Sequence, residues 1–492
     1  PTLAWAQGPL LWDKTLGGNN WDEPHSVVAT PDGGCIVVGQ SDSGISGDKS
    51  ESGRGGADCW IVRLDSQGNK IWDKSVGGSD ADRAWCIIHT MDNQYLMIGQ
   101  SRSNRSGDKS EDSKGVNDIW IVKIDQAGNI LWDRTFGGKA GDVGYTGLAT
   151  TDGGFLIAGN SGSGRELDKS EESKGSYDYW VLRIDEQGNK LWDKTLGGDG
   201  YEECHAIAAI TDGGYVLCGT SQSNKGGDKS EDKKSASDGW VVKIDANGNK
   251  LWDRTVGRFD PFYPRASVAA TPDGGCLFST NSGFEPIKLD ADGNEQWQKD
   301  YGLGMCYALI NTKDGSFILA GSSQANKGQY KSEDSCGADD FWMIKIDAQG
   351  DLQWDKTVGG SSWDACHAVV ETTDKSLILV GRTQSDSSCN KTENRRGGRF
   401  DSSDYWVVKL GPTPPPLQWR NLITRPATAS AADGAVRMAV YGGQAPYEYS
   451  IDDGANWRSE RSFSDLPAGT YKAAVRDASG AVIHADVLLR AR

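Results

Sequence analysis

Imidazole and aromatic side chains recur at one position of a repeated segment in this sequence. Each segment ends in a turn such as TPDGG, and the position lies seven residues before the turn aspartate or its equivalent. Aromatic faces pack on cations and on the C–H surfaces of sugars, and imidazoles exchange hydrogen bonds and protons near neutral pH. These groups are therefore candidates for ligand binding. The occupants are His25, Trp85, Tyr145, His205, Ala266, Tyr307 and His367.

Acidic residues recur three positions earlier in five of the seven segments, and aromatic residues recur one position before those. Carboxylates accept paired hydrogen bonds from vicinal hydroxyls, or pair with a cationic peptide. Arranged in a ring, such segments would surround one mouth of a central channel. The alternative is that these groups plug the channel and satisfy one another. The predicted ligand-binding residues are Trp21, Asp22, His25, Asp82, Trp85, Asp142, Tyr145, Glu202, His205, Phe262, Tyr263, Arg265, Tyr307, Trp363, Asp364 and His367.

A second motif, Asp-Lys-Ser-Glu, recurs in a long polar loop of each unit except the fifth, with degraded copies in the last two. Carboxylates in a tight loop could hold Ca²⁺, and Ca²⁺ is the one cofactor that the sequence suggests. The lysine between the carboxylates favours the other interpretation, in which the motif caps and pairs loop backbone. The candidate metal ligands are Asp48, Glu51, Asp108, Glu111, Asp168, Glu171, Asp228 and Glu231.

Catalytic motifs are absent from the sequence. It has no G-x-S-x-G or H-E-x-x-H segment, and three of its five histidines share one repeat position. Only Arg83 and Arg265 lie near the predicted channel, fewer than a sialidase needs. The acidic ring could serve a glycosidase or a lyase, but nothing in the sequence selects that chemistry. We therefore predict no catalytic residue.

Tryptophan marks the repeat that must position these groups. One series occurs in LWDKTLGG-like segments, mostly 60 residues apart, and a second series occurs in D-x-W-I-V-K-I-D-like segments. Each unit contains four short β-branched runs joined by D-G-G and G-N hairpin turns. Four strands in about 40–60 residues is typical of a β-propeller blade.

The two ends of the repeat predict how it closes. The seventh unit ends at YWVVKL (405–410), without a fourth strand, whereas the chain begins with an isolated fourth strand, LLWDKTLGG (10–18). We predict an all-β, seven-bladed β-propeller over residues 8–411, closed by this N-terminal strand. The fifth unit lacks the polar loop, which predicts a gap lined by aromatics and one arginine; a tolerated loop deletion is the alternative. The residues beside that gap are Phe259, Phe262, Tyr263, Arg265 and Phe284.

Two shorter regions flank the repeat. Residues 1–7 (PTLAWAQ) contain the small-x-small pattern found at the end of a secretory signal; a disordered leader is the alternative. Residues 412–416 form a proline-rich, semi-rigid linker. Residues 417–492 contain alternating strands with Gly- and Asp-rich turns, which predicts a small Ig-like β-sandwich.

Charge and composition exclude several classes of partner. The chain has 69 acidic and 52 basic residues, a formal net charge of −17, and no long apolar run. This argues against nucleic acid, against anionic lipid and against a membrane span. The ten cysteines include no C-x-x-C pair, so zinc is not expected. Cys336 and Cys389 lie in the long loops of adjacent units and could form a disulfide.

The combination WDKTxGG, TxDGGxxxxGxS, GDKSE and DxWxVKxD resembles repeats of large secreted proteins of Bacteroidota, over residues 9–411. The segment beginning GGQAPYEYSIDDGANW resembles the β-sandwich repeats of gliding-motility adhesins from the same bacteria. These resemblances imply export by type IX secretion and action at the cell surface, although the C-terminus shows no type IX sorting domain. The D-x-x-G-N-K-x-W hairpin also resembles the repeat of quinoprotein propellers, which typically have eight blades. Because this sequence has seven units and no pair of adjacent cysteines, the resemblance implies a similar fold but not the dehydrogenase activity.

These observations favour one function and leave two open. The favoured function is a secreted or cell-surface, non-catalytic adhesion protein that recognises a glycan or surface protein at one face of the propeller. One alternative is an enzyme that acts on polysaccharide at the acidic channel mouth. The other is a structural subunit of a surface filament or layer.

Overall fold

The computed structural model describes residues 8–259, 265–397, 402–412, 417–428, 431–443, 446–478 and 480–491, except for the side chain of Arg258. The predicted leader at residues 1–7 lies outside these ranges. The described chain is all-β and divides into two compact units. One comprises Leu10–Asp351 and Asp355–Leu410, and the other consists mainly of Gly411–Arg492. No helix in the described ranges is long and apolar enough to cross a bilayer.

The larger unit contains 28 described strands. The first fourteen are β1 (Leu10–Leu16), β2 (Asp22–Ala29), β3 (Cys35–Ser41), β4 (Asp58–Leu64), β5 (Lys70–Val76), β6 (Asp82–His89), β7 (Tyr95–Ser101), β8 (Asp118–Ile124), β9 (Ile130–Phe136), β10 (Asp142–Ala149), β11 (Phe155–Ser161), β12 (Asp178–Ile184), β13 (Lys190–Leu196) and β14 (Glu202–Ala209). The rest are β15 (Tyr215–Ser221), β16 (Asp238–Ile244), β17 (Lys250–Arg258), β18 (Ser267–Ala270), β19 (Cys276–Ser279), β20 (Ile287–Leu289), β21 (Glu295–Gln298), β22 (Met305–Asn311), β23 (Phe317–Ser323), β24 (Asp340–Ile346), β25 (Leu352–Val358), β26 (Asp364–Glu371), β27 (Leu377–Thr383) and β28 (Asp404–Leu410).

In the described residues, these strands form seven four-stranded antiparallel blades, which we number in chain order from the blade β2–β5. The first strand of each blade contacts the first strands of the two neighbouring blades, so β2, β6, β10, β14, β18, β22 and β26 form a closed ring. Short strands with apolar residues on both faces suit this stacking, because each inner blade face is covered by a neighbour. The fold is a β-propeller with an axial channel.

The strand at the beginning of the chain completes the last blade. β1 pairs antiparallel with β28, with Thr15 opposite Trp406, and the strand order of that blade is β1-β28-β27-β26. Pairing the first strand with the last removes two exposed sheet edges at once.

A buried tryptophan–aspartate pair ties the outer two strands of six blades together. The indole N–H of Trp60 donates to the Asp73 carboxylate at 3.1 Å, and the same bond joins Trp406 to Asp13 across the closure at 3.0 Å. Both partners are buried, so neither polar group is left unpaired inside the protein. This explains why the second tryptophan series repeats and why an aspartate follows the tryptophan of the first series in these six blades. The six donors are Trp60, Trp120, Trp180, Trp240, Trp342 and Trp406.

The smaller unit contains β29 (Gln418–Arg425), β30 (Gly434–Tyr441), β31 (Glu448–Ser450), β32 (Ser462–Leu466), β33 (Gly469–Arg476) and β34 (Val482–Leu489). In the described residues they form two three-stranded sheets, β29-β30-β32 and β31-β33-β34. Side chains from both sheets, such as Val436 and Val475, share one apolar core.

The cysteines of the larger unit comprise one disulfide pair, located in two loops, and free thiols. The structure joins Cys336 to Cys389 in a disulfide between the loops of blades six and seven, with Cα atoms 6.5 Å apart. The other eight cysteines are free thiols; seven are buried, and Cys86 is half-buried.

Candidate functional site

Each ring residue predicted from the repeat lies at a β-bulge on the first strand of its blade. In the first blade, Pro24 faces Gly39 and Ser26 faces Val38, so His25 is the extra residue. The same register shift occurs in the blades of Trp85, Tyr145, His205, Tyr307 and His367. A bulge re-aims one side chain and leaves the rest of the strand paired. Here it brings six rings to the axis.

The six rings border one cavity of about 470 Å³ on the axis of the larger unit. His25 stacks on Trp85 with centroids 4.4 Å apart, and Trp85 lies 5.4 Å from Tyr145. Tyr145 lies 5.5 Å from His205. On the other side, His367 lies 5.7 Å from Tyr307 and 6.1 Å from His25. The cavity wall therefore contains a nearly continuous band of aromatic and imidazole rings.

Blade five interrupts the band with an arginine. Ala266 occupies the ring position there, and the preceding Arg265 extends into the cavity. Its Nη2 donates to Nδ1 of His25 at 2.9 Å, and its guanidinium lies 6.0 Å from the centroid of the Tyr307 ring. One side chain thus links the first, fifth and sixth blades across the axis.

Three further charged residues border the cavity: Glu23, Arg83 and Arg382. Arg83 is predicted near the channel from the sequence, whereas Glu23 and Arg382 are not. Glu23 accepts hydrogen bonds from the Trp21 indole at 3.3 Å and from Gln40 at 3.4 Å. Arg382 lies 3.9 Å from Glu23 and 5.9 Å from the Trp21 ring centroid. Glu23 and Arg83 precede the bulge by two residues, a spacing that the repeat itself could have revealed.

A buried carboxylate, Glu203, organises the wall on the side of blades three and four. It accepts hydrogen bonds from Tyr201 at 2.5 Å, Asn160 at 3.2 Å and Tyr145 at 3.3 Å. Its second oxygen lies 3.4 Å from Nε2 of His205. Burial alone would raise the pKa of Glu203, but these donors hold the pKa below its ordinary value. Glu203 therefore stays ionised and fixes the orientation of His205.

Several buried polar atoms around the cavity have no hydrogen-bond partner among the described residues. They include two N–H donors, Nε of Arg83 and Nε1 of Trp85, together with Nε2 of His25, Nδ1 of His205 and Oε1 of Gln40. Buried polar atoms are rarely left unpaired in folded proteins. The five named atoms belong to residues that border this cavity, where a polar molecule could supply the missing partners.

The imidazoles of His25 and His367 are held neutral. Burial lowers the pKa of each well below its ordinary value, and the nearby guanidinium of Arg265 lowers both pKa values further. Nδ1 of His367 lies 2.8 Å from the carbonyl oxygen of Pro24, so it carries the proton and Nε2 is the acceptor.

One trio could in principle hold a metal ion. Ligand atoms of Glu23, His25 and His367 lie within 4.8 Å of one another, and two imidazoles with one carboxylate is a known metal-binding set. However, Arg265 donates to His25 and places a fixed positive charge beside it. The electrostatics of this cavity favour an anion over a cation.

The five acidic residues predicted for the rim have a different position, and this part of the prediction is wrong. They are at most 1% exposed, and none borders the axial cavity. The Asp22 carboxylate accepts from the backbone N–H of Gly18 at 2.7 Å and from the Ser43 hydroxyl at 3.0 Å. Adjacent residues of a strand point to opposite faces, so residues of this series point away from the axis. The series is Asp22, Asp82, Asp142, Glu202 and Asp364.

The predicted aromatic residues before this series divide into three groups. Trp21 contacts Glu23 and Arg382 near the cavity. Trp363 and Asp364 border a small hollow beside Tyr307 and Arg382. Phe262 and Tyr263 lie outside the described residues.

The Asp-Lys-Ser-Glu loops bind the protein's own donors. Asp48 accepts from the Gly17 N–H at 3.3 Å and from Arg396 at 2.7 Å. Glu51 accepts from the Ser75 N–H at 3.0 Å and from Lys74 at 2.9 Å. The other three copies bind the equivalent backbone N–H groups, which supports the capping interpretation. Those carboxylates are Asp108, Glu111, Asp168, Glu171, Asp228 and Glu231.

The missing loop of blade five leaves a hollow of about 340 Å³, but its lining differs from the prediction. Phe259 and Phe284 are buried in the core. Phe284 packs on Trp342 of blade six, with centroids 4.3 Å apart, as Tyr405 packs on Trp60 at 4.7 Å. Phe284 therefore replaces a repeated packing contact. The hollow is bordered by Asp300, Tyr301, Leu303, Asn326 and Tyr330 among others.

Comparison with known proteins identifies similar chains but assigns no family. No protein-family model matches the chain. A stretch of 189 residues is 24% identical to the regulatory protein FlaEY of Caulobacter vibrioides, over 37% of this chain and 20% of that protein. Two solved structures are similar: virginiamycin B lyase from Staphylococcus aureus (11% identity, TM-score 0.47, 81% of this chain and 99% of that chain) and the RRP9 WD40 repeats (10%, 0.44, 82% and 99%). Identities this low carry no ligand or activity from those proteins to this chain.

Proposed function

We propose that this chain is a secreted or cell-surface binding protein, a closed seven-bladed β-propeller followed by an Ig-like β-sandwich. The propeller recognises a glycan in its axial cavity and does not transform it. The observation that carries this proposal is the combination of a ring-lined cavity of about 470 Å³ with several unpaired buried polar atoms. Ligand pockets in proteins have volumes of roughly 300–1,000 Å³.

The chemistry of the wall suits a sugar. The rings of Trp85 and Tyr145 border the cavity and offer apolar surface to the C–H groups of a pyranose ring. The free polar atoms of Gln40 and His205 can bond hydroxyl groups. A folded surface protein would need a broad contact area, whereas this site is a concave pocket.

An extracellular location is supported by the disulfide. Disulfides persist in oxidising compartments and are rare in reducing ones. The bond between Cys336 and Cys389 agrees with the export that the repeat resemblance implies. The β-sandwich would then serve as a spacer or as a second adhesive unit.

A second candidate function is an enzyme acting on polysaccharide, and one observation favours it. Glu203 faces Nε2 of His205, which leaves the unpaired Nδ1 as a proton acceptor in the wall of the cavity. An imidazole oriented by a carboxylate is a common general base. Release of reducing ends or unsaturated sugars from polysaccharide, lost in His205→Asn, would support this function over simple binding.

A glycan array tests the proposal. The full chain should bind a defined set of glycans, and Trp85→Ala should abolish that binding because it removes a stacking face and a donor. Met91→Ala is the matched control, since Met91 is 69% exposed in the turn that follows the same strand. Thermal unfolding of both variants distinguishes lost binding from lost folding. Binding that survives Trp85→Ala in a folded protein would overturn the proposal.

A further inference from the structure

The axial cavity has the opposite charge to the protein as a whole. The chain carries a formal net charge of −17, yet three guanidinium groups border this cavity: Arg83, Arg265 and Arg382. One carboxylate, Glu23, borders it with them, and Glu203 lies behind the wall. The positive groups outnumber both carboxylates together. A positive site in an acidic protein attracts an anion locally, in a low-dielectric setting where charge interactions are strong.

The three arginines are not neutralised equally. Arg382 lies 3.9 Å from Glu23, the one ion pair recorded for any of the three in the described chain. Arg265 donates to a neutral imidazole and lies over the Tyr307 ring. Nε of Arg83 is buried without an acceptor. Two of the three positive charges are thus available to a ligand.

The unpaired donors point to the same kind of ligand. Because Nδ1 of His25 accepts from Arg265, its proton is on Nε2, and that N–H has no acceptor in the described structure. Trp85 Nε1 and Arg83 Nε are further N–H donors without an acceptor. Three such donors at one cavity require an oxygen-rich acceptor, and hydrogen bonds to an ionised acceptor are about twice as strong as neutral ones.

We propose that the axial cavity selects an anionic sugar residue, with its carboxylate or sulfate ester held by Arg83, Arg265 and the His25 N–H. Its pyranose ring lies against the aromatic band, as the proposed function requires, and the inference therefore rests on that function. A planar guanidinium pairs with a carboxylate or sulfate through two parallel hydrogen bonds. The aromatic band supplies affinity for the ring, and the arginines supply selectivity for charge.

Calorimetric titration of the full chain tests this inference with four probes at constant ionic strength. The probes are trigalacturonate, its neutral methyl ester, galactose 6-sulfate and galactose. We expect at least one anionic probe to bind about tenfold or more tightly than its neutral counterpart, because hydrogen bonds to an ionised acceptor are stronger than those to a neutral one. Tighter binding of trigalacturonate identifies a carboxylate, and tighter binding of galactose 6-sulfate identifies a sulfate ester.

Variants separate charge recognition from folding. Arg83→Gln should weaken binding of the anionic probe about tenfold or more, so that this probe binds no more tightly than its neutral counterpart. Arg105→Gln, at an exposed loop position, should change the binding of neither probe. Arg265→Gln should have the same effect. If loss of the Arg265–His25 hydrogen bond unfolds the propeller, Arg83→Gln remains the decisive variant. Neutral probes that bind as tightly as anionic ones would overturn this inference and leave the proposed function standing. If no probe binds, the inference also fails, and the glycan array decides the proposed function.

Discussion

Arg265 donates a hydrogen bond to Nδ1 of His25, 240 residues earlier in the chain, at 2.9 Å. The bond joins the fifth blade to the first across the axis and assigns the imidazole tautomer. It exists because blade five has alanine at the ring position, which leaves room for the neighbouring arginine. The irregular blade therefore adds a third guanidinium group to those of Arg83 and Arg382.

The tryptophan–aspartate pair should be a main source of blade stability. Asp73→Ala leaves three donors, the Trp60 indole, the Ser50 N–H and the Lys70 ammonium, without this acceptor. We expect a loss of about 2–4 kcal/mol in the free energy of unfolding, measured by urea denaturation. Asp42→Ala, at an exposed position, should change it by less than about 0.5 kcal/mol. Equal effects of the two substitutions would contradict this role.

Stability should depend on pH through buried carboxyl groups at the blade interfaces. Burial, reinforced by the neighbouring Asp22, raises the pKa of Asp404 to about 7, and burial raises the pKa of Asp58 and Asp340 to about 6. Because the folded protein holds these protons more tightly than the unfolded chain, the associated stability is present below about pH 4 and is lost as pH rises towards 7.

Other carboxyl groups determine how stability is lost at acidic pH. Burial opposes ionisation of Asp273, but hydrogen bonds from Lys288 and Thr271 lower its pKa to about 2. Its stabilising effect is present above about pH 4 and is lost as pH falls below that. We expect the melting temperature to be highest near pH 5. Asp404→Asn should flatten the decline between pH 5 and pH 8, and an unchanged slope in that variant would show that Asp404 does not cause it.

The disulfide should stabilise the propeller between blades six and seven. Cys336 and Cys389 are 53 residues apart, and closing such a loop restricts the unfolded chain by about 2–4 kcal/mol. Reductant should lower the melting temperature of the wild type and leave a Cys336→Ser/Cys389→Ser double variant unaffected. In denaturant, thiol titration should count eight groups before reduction and ten after it. Ten thiols without reduction would exclude the bond.

The polar loops should not depend on calcium. The Asp48 and Glu51 carboxylates are already bonded to backbone N–H groups and to Arg396 and Lys74. We expect the melting temperature to stay the same on addition of Ca²⁺ or of a chelator. A rise of several degrees with Ca²⁺, lost in Asp48→Asn, would show that the loops bind the ion.

The repeat allowed the strands, the closure and the ring residues to be predicted, because these depend on local pattern and on counting. It did not allow the direction of the acidic series to be predicted. A signal was nevertheless present: the acidic residue occurs in the five units whose preceding strand ends in Gly-Gly, four residues earlier. That coincidence marks a carboxylate that caps the glycine backbone, as Asp22 caps Gly18.

Arg382 could not be placed from sequence alone. It lies on the second strand of its blade, opposite Ala365, and its approach to the cavity depends on register between strands and on the small size of that partner. Arg265 depended on the same kind of local exception, an alanine where other blades have a ring. Periodicity therefore does not reveal Arg382, whereas Glu23 and Arg83 lie at a fixed spacing from the ring position and Arg265 lies next to it.

The most direct measurement is a crystal structure of the full chain with the tightest-binding glycan from the array. We expect a sugar ring in the axial cavity, packed against Trp85 and Tyr145, with its anionic group on Arg83 and Arg265. A glycan bound instead on the outer loops or on the β-sandwich, with the axial cavity unchanged, would contradict it.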